Sequence, residues 1–256
     1  MEDAMKYLRA CVISFSMYSK IPMPKVEWEK DSMKYAMCFF PWVGVVIGGS
    51  FFLWGICAKW IPVGEPLYAV GLTLIPVWIT GGIHMDGFLD TIDALSSWQT
   101  RERRLEILKD SHAGAFAVIG GCMYFLTYFG LASELSEEGI CLVAFGFVLS
   151  RCLSAIAVTS FPCAKDSGLV YAFSNGADRK RTRRVLLLEA ILVIAGLLWL
   201  DVILGGAVIL VSLLVFFWYY RMSLHKFGGI TGDLAGWFLQ MCELFLLIPA
   251  VMAGKL

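Results

Sequence analysis

Residues 35–58 read Tyr-Ala-Met-Cys-Phe-Phe-Pro-Trp-Val-Gly-Val-Val-Ile-Gly-Gly-Ser-Phe-Phe-Leu-Trp-Gly-Ile-Cys-Ala, without one charged side chain. A helix needs about 20 predominantly apolar residues to cross a bilayer core, so this stretch predicts a transmembrane span. Further segments approach that length near 67–83, 114–133, 140–160, 185–200, 206–221 and 234–252. The expected fold is all-α, a polytopic membrane-embedded helical bundle with about seven transmembrane helices (six to eight). The range reflects 185–200 and 206–221, which are short, share the connection around Asp201 to Gly206, and have a non-crossing helical hairpin as their alternative.

Composition agrees with that reading. Hydrophobic residues make up 59% of the chain and charged residues 16%, too few for the solvated surface of a soluble domain. No polar stretch is long enough for a separate module, so residues 1–256 are expected to form a single membrane-embedded catalytic domain. Residues 1–34 would be its N-terminal segment, with 4–19 as an amphipathic helix at the interface. Glu2, Asp3, Arg9 and Lys20 interrupt this region and predict no cleavable signal peptide. The eight cysteines form no C-x-x-C pair, which argues for packing thiols rather than a disulfide framework or zinc site.

The 21 basic and 21 acidic residues cancel, so nothing calls for nucleic acid as a partner; the expected partner surface is the lipid bilayer. Their distribution is informative. If the spans alternate, 18 of the 21 lysines and arginines fall on one side, in 1–34, 84–113, 161–184 and 221–233. The positive-inside rule makes that side cytoplasmic, which predicts a multi-pass protein of the cytoplasmic (inner) membrane. The acidic link 134–138 then lies outside.

Where the second span reaches the basic side stands Gly81-Gly82-Ile83-His84-Met85-Asp86-Gly87-Phe88-Leu89-Asp90-Thr91-Ile92-Asp93. Helical spacings of four and three place Asp86, Asp90 and Asp93 on one face. Carboxylates that close repel one another unless a cation intervenes, and hard oxygen donors suit Mg²⁺ or Mn²⁺. The alternative is a solvated helix start favoured by the dipole. His84 is a candidate ligand, partner of a ligand, or general base. Gly81, Gly82 and Gly87 would admit a phosphate or a neighbouring helix.

Other polar segments belong to the same side. Arg101 to Arg104 and Lys109-Asp110-Ser111-His112-Ala113-Gly114 offer cations, a fourth carboxylate and a helix start able to receive an anion; a basic face for anionic lipid is the plainer reading. Gly228-Gly229-Ile230-Thr231-Gly232-Asp233 is a glycine-rich turn ending in an acid, equally compatible with a capping role. Lys165 precedes Gly168-Leu169, and the run 179–184 fits a topology signal. Arg151 and Glu243 fall inside spans, where each needs a partner, and pairing with each other would meet that need.

These motifs resemble the cobalamin synthase family, the adenosylcobinamide-GDP ribazoletransferases. The likeness rests on G-G-x-H-x-D-G-x-x-D-x-x-D at 81–93, K-D-S-x-x-G at 109–114 and G-G-x-T-G-D at 228–233. Lys20 to Pro24, Ser150-Arg151 and Gly168-Leu169 add weaker support, and the order covers nearly the whole chain. His112 stands where the family has Arg, and Ala117 where it often has Gly.

The resemblance implies transfer of a phosphoryl-linked group. A hydroxyl of α-ribazole or its 5′-phosphate attacks the cobinamide-linked phosphorus of adenosylcobinamide-GDP, and GMP leaves. Expected catalytic residues are His84, Asp86, Asp90 and Asp93, with Mg²⁺ (or Mn²⁺) on Asp86, Asp90, Asp93, Asp233 and Asp110. Substrate and phosphate contacts are expected from Lys20, Gly82, Gly87, Arg104, Lys109, Ser111, Arg151, Lys165, Gly229, Thr231 and Gly232. Other cobalamin-assembly enzymes, and further copies of this chain, are the expected protein partners. A CDP-alcohol phosphotransferase is the nearest rival, but its D-G-x-x-A-R pattern is not met by Asp86-Gly87-Phe88-Leu89-Asp90-Thr91. A transporter would instead place its acids near mid-bilayer.

Overall fold

A computed structural model describes residues 2–110 and 112–255, with side chains throughout except at 2–4, 30 and 59. The described chain is helical, and its one β feature is an isolated parallel bridge between Cys163 and Ile230. In chain order the helices are α1 (Glu2–Tyr18), α2 (Phe40–Cys57), α3 (Glu65–Thr80), α4 (Ile83–Ser96), α5 (Arg101–Ile107) and α6 (Ala115–Ser133). There follow α7 (Glu137–Ser160), α8 (Leu169–Gly176), α9 (Arg179–Leu200), α10 (Val202–Met222) and α11 (Gly232–Val251), and single turns such as Lys30–Met33 lie between.

The helix starts follow local chemistry. Side-chain oxygens of Thr100, Ser136, Asp178, Asp201 and Thr231 accept from backbone N–H groups of the first turns of α5, α7, α9, α10 and α11, satisfying donors that no helical carbonyl reaches. Proline opens α2 and α3, where its missing N–H costs nothing.

Five helices among the described residues are long and apolar enough to cross a membrane, and six if the bent pair α3–α4 forms one broken span. The chain is thus an all-α, multi-pass membrane protein. The remaining expected crossing, 185–200, lies in α9. Its first turns carry Arg179 to Arg184 and its middle carries Glu189, which lowers its apolarity, yet it joins the same two ends of the bundle as its neighbours. At one end Thr182 Oγ1 donates to the Lys34 carbonyl at 3.3 Å, Lys165 Nζ to that of Leu105 at 3.3 Å, and Lys20 N to that of Ile79 at 2.7 Å. At the other end Lys255 pairs with Glu134 at 2.7 Å, and Leu200 and Asp201 line a cavity with Glu137 and Gly254.

Helices α7 and α11 form the enclosed centre, and α6 and α10 are the most open. Lipid tails are as apolar as the helices, so close backbone packing must hold the bundle. Gly44 and Gly48 of α2, four residues apart, lie against the backbone of Phe147 and Ala144 in α7, and a Cβ on Gly44 would stand 2.5 Å from the Phe147 carbonyl oxygen. Arg151 and Glu243 meet inside this centre at 2.6 Å, both fully enclosed.

Candidate active site

The acidic motif leaves the line of its span. Gly81 and Gly82 both adopt the left-handed conformation, φ 64° and 80°, which glycine enters without a Cβ penalty. Helix α4 therefore turns by 95° from α3. The Lys20 side chain lies over Gly81 where a Cβ would stand, so the expected Lys20 does reach the start of the motif.

Helix α4 then crosses the first turn of α11 at close range. A Cβ on Gly87 would stand 2.8 Å from both Cα and the carbonyl oxygen of Asp233, and one on Gly236 would stand 2.8 Å from the His84 carbonyl oxygen. Gly87 thus admits a neighbouring helix, one of its two expected uses. The crossing brings Asp233 to the acids of α4. The charges of Asp86, Asp233, Asp93 and Asp110 all bear on Asp90, and that of Asp86 bears on Asp233. Among the described residues none of Asp86, Asp90 and Asp233 has an ion-pair partner.

Asp93 is committed elsewhere. Its Oδ2 accepts from Gly114 N and its Oδ1 from Ala117 N at 2.9 Å, so it caps α6, a helix whose own N-cap position, Gly114, has no side chain. Asp110 is exposed and turned back on its own loop, accepting from the backbone N–H of His112 at 3.0 Å and facing its Nδ1 at 2.8 Å. These contacts hold the Asp110 carboxyl below the usual carboxylate range. Ser111 lies outside the described residues. His84 does not join the carboxylates: it is buried on the opposite face of α4, its ring 6.0 Å from Tyr18 and 5.8 Å from Phe40, with no partner for Nε2 among the described residues.

A basic half adjoins the acids. Ala164 N donates to the Ile230 carbonyl at 2.9 Å, and Ile230 N to that of Pro162 at 2.9 Å. This pairing requires Gly229, because a Cβ there would meet the Pro162–Cys163 backbone at 2.5 Å. It sets Lys165 beside Asp233. Burial, then the charge of Lys109, holds the Lys165 ammonium below the usual lysine range, opposed by Asp233. Lys165, Ser167, Gly168 and Thr231 to Asp233 line a cavity of about 240 Å³. Thr231 Oγ1 accepts from Leu234 N and donates to Asp233 Oδ2, each at 3.3 Å, so Thr231 is the cap of α11 as well as a wall of the cavity.

One expected phosphate ligand is placed otherwise. Arg151 donates through Nη1 to Glu243, to the Phe147 carbonyl at 2.9 Å and to Ser150 Oγ at 3.1 Å; a charge in the apolar interior has to be paired, and the pairing consumes it. Arg104 is half-buried and its Nε has no partner among the described residues, while Lys109 is exposed. The sequence reading undervalued Arg101, whose guanidinium lies where a Cβ of Gly228 would be, φ 76°. That contact puts a cation on the glycine turn leading to Asp233, and only the left-handed glycine hints at it.

The profile of the cobalamin-5-phosphate synthase family matches residues 10–252. The chain belongs to that family. Its relatives include an adenosylcobinamide-GDP ribazoletransferase of Lachnoclostridium phytofermentans, 47% identical over 97% of this chain and 95% of that one. Enzymes of the same name from Desulfitobacterium hafniense, 33% identical over 96% and 98%, and Clostridium botulinum, 32% over 95% and 97%, are also similar. No solved structure matches this cobalamin synthase family member.

Proposed function

We propose that this chain joins adenosylcobinamide-GDP to α-ribazole or its 5′-phosphate and releases GMP, at the cytoplasmic face of the inner membrane. The observation that carries the reading is the contact of an acidic half, Asp86, Asp90 and Asp233, with a basic half built on Lys165. A nucleoside diphosphate needs both. The basic half receives phosphate oxygens, whereas the acidic half repels them until a cation intervenes.

The donor set fits a hard divalent cation. Among the described residues no three of His, Cys, Asp and Glu stand close enough to hold an ion alone. Mg²⁺ is commonly bound through one or two carboxylates, with waters and substrate phosphates completing its shell. One or two of Asp86, Asp90 and Asp233 would hold it, and when bound it would neutralise charge developing on the departing GMP. Asp93 keeps the wall in place by fixing α6 to α4.

The chain's own residues then have distinct tasks. Lys165, the α8 start at Gly168 and the Thr231–Gly232 backbone orient the diphosphate in the cavity. A ribazole hydroxyl oxygen bonds to the cobinamide-linked phosphorus as the bond from that phosphorus to the bridging oxygen of GMP breaks. A carboxylate of the cluster accepts the hydroxyl proton; His84, buried behind α4, is not placed for it. Purified protein in nanodiscs, given adenosylcobinamide-GDP, α-ribazole and Mg²⁺, is expected to release GMP, and to stop on chelation. GMP release no faster than in a protein-free control would reject the activity; release that survives chelation would reject the metal.

A further inference from the structure

A second basic pocket lies away from the acids. Lys6 and Tyr7 of α1, Asp31, Lys34 and Tyr35, and Arg181 of α9 line a cavity of about 370 Å³. It shares no residue with the Lys165 cavity. Arg181 stands against a pair of rings, its Cζ 5.5 Å from the Tyr7 centroid and 5.4 Å from that of Tyr35, while the rings stand 5.2 Å apart. A guanidinium drawn to aromatic faces is held there without spending its N–H groups, which stay available for a forked contact with phosphate oxygens. Among the described residues the Arg181 side chain makes no hydrogen bond or ion pair. Lys34 is partly neutralised by Asp31 at 2.6 Å, and Asp178, whose charge also bears on Lys34, is engaged in capping Arg181 N at 3.2 Å.

The depth of the pocket selects among anions. The apolar run of α9 begins at Val185, one turn beyond Arg181, or about 6 Å along the axis. This places the guanidinium at the level of headgroups rather than tails. On α1, beside Lys6 and Tyr7, Met5 and Leu8 are exposed, at 49% and 61%, as an interfacial helix requires where it meets acyl chains. We propose that this pocket binds the phosphodiester of an anionic phospholipid headgroup and thereby docks the N-terminal helix to the start of α9. The site is independent of the ribazole-transfer reading.

The full-length protein in detergent is titrated with phosphatidylglycerol or phosphatidylcholine in mixed micelles, and bound lipid is counted by native mass spectrometry. Wild type is expected to retain one phosphatidylglycerol in preference to phosphatidylcholine. Arg181→Gln is expected to weaken that retention about fivefold, as for one basic residue at an anionic surface. Arg184→Gln, on the same basic run but outside the pocket, should leave it unchanged. Arg181→Lys keeps the charge without the fork and should fall between, which preserves the test if the glutamine variant folds poorly. Equal losses in Arg181→Gln and Arg184→Gln would mean a diffuse basic face and overturn the pocket. Displacement of the lipid by inorganic phosphate or α-ribazole 5′-phosphate, with a raised KM for the latter in Arg181→Gln, would make it a substrate subsite and overturn the lipid.

Discussion

A methyl group added at Gly87 would stand 2.8 Å from the Asp233 Cα and from its carbonyl oxygen, where unstrained contacts between carbon atoms begin near about 3.5 Å. Both obstacles are helix backbone, so no rotamer relieves the overlap, and α4 and α11 must separate by about 0.7 Å. Overpacking of this kind costs about 1–3 kcal/mol. The displacement has a chemical consequence, because Asp86 and Asp90 ride on one of the separating helices and Asp233 on the other. Misplacement approaching about 1 Å can reduce a rate by about 100-fold, so Gly87→Ala is expected to lower kcat/KM by about 10- to 100-fold, with a measurable fall in Tm. The assay is GMP release in nanodiscs, with melting followed by tryptophan fluorescence. Gly49→Ala, where a Cβ meets nothing within 4 Å, is the matched control and should be near neutral. Wild-type kcat/KM and Tm in Gly87→Ala would refute the crossing as the device that assembles the site.

Asp86→Asn and Asp90→Asn are expected to abolish GMP release without changing membrane insertion or Tm, while His84→Asn keeps measurable turnover; a His84 variant as inactive as Asp90→Asn, at unchanged Tm, would return the imidazole to the chemistry. Arg151→Met leaves Glu243 charged and alone inside the bundle, a loss of about 3–5 kcal/mol, and adding Glu243→Leu should recover most of it; a single variant melting like wild type would show that the pair is not buried as described. Because the Lys165 ammonium is held below the usual lysine range, it loses its charge at lower pH than a free lysine, and the KM for adenosylcobinamide-GDP should rise along that alkaline limb. Lys165→Arg, which stays charged, should move the limb to higher pH, and an unmoved limb would assign it to another group.

What could be read in advance was whatever one segment or one general rule determines. Apolar length gave the spans, the lysine and arginine distribution grouped the loops that do gather at one end, and the cost of buried charge paired Arg151 with Glu243. The His84 placement was also readable: at 3.6 residues per turn it lies between about a third and half a turn from Asp86, Asp90 and Asp93, so it could not share their face. Long-range commitments were not readable. Asp93 looks like the third member of a ligand triad, yet both its oxygens cap a helix 21 residues later, and nothing local distinguishes a ligand from a cap. The 95° turn depends on two successive left-handed glycines, which equally suit an ordinary helix end. Arg181 looked like one charge in a topology signal because its two tyrosines come from residues 7 and 35.

The turn at Gly81–Gly82 explains how one chain can be both membrane-embedded and acidic where α4 meets α11. Had α4 continued the line of α3, Asp86, Asp90 and Asp93 would extend that axis while Asp233 began a neighbouring span, and only splayed side chains could meet. Turning by 95° lays α4 across the first turn of α11, so the carboxylates of two elements converge at one end of the bundle rather than at mid-depth, where each would carry the desolvation cost of a buried charge. The same movement sets Lys20 over the bend and leaves the far side of α4, with His84, against Tyr18 and Phe40. Apolar packing behind the helix therefore fixes the angle at which its acids are presented. Loss of that packing should act on rate through geometry, in the same direction as Gly87→Ala and without removing a single charged group.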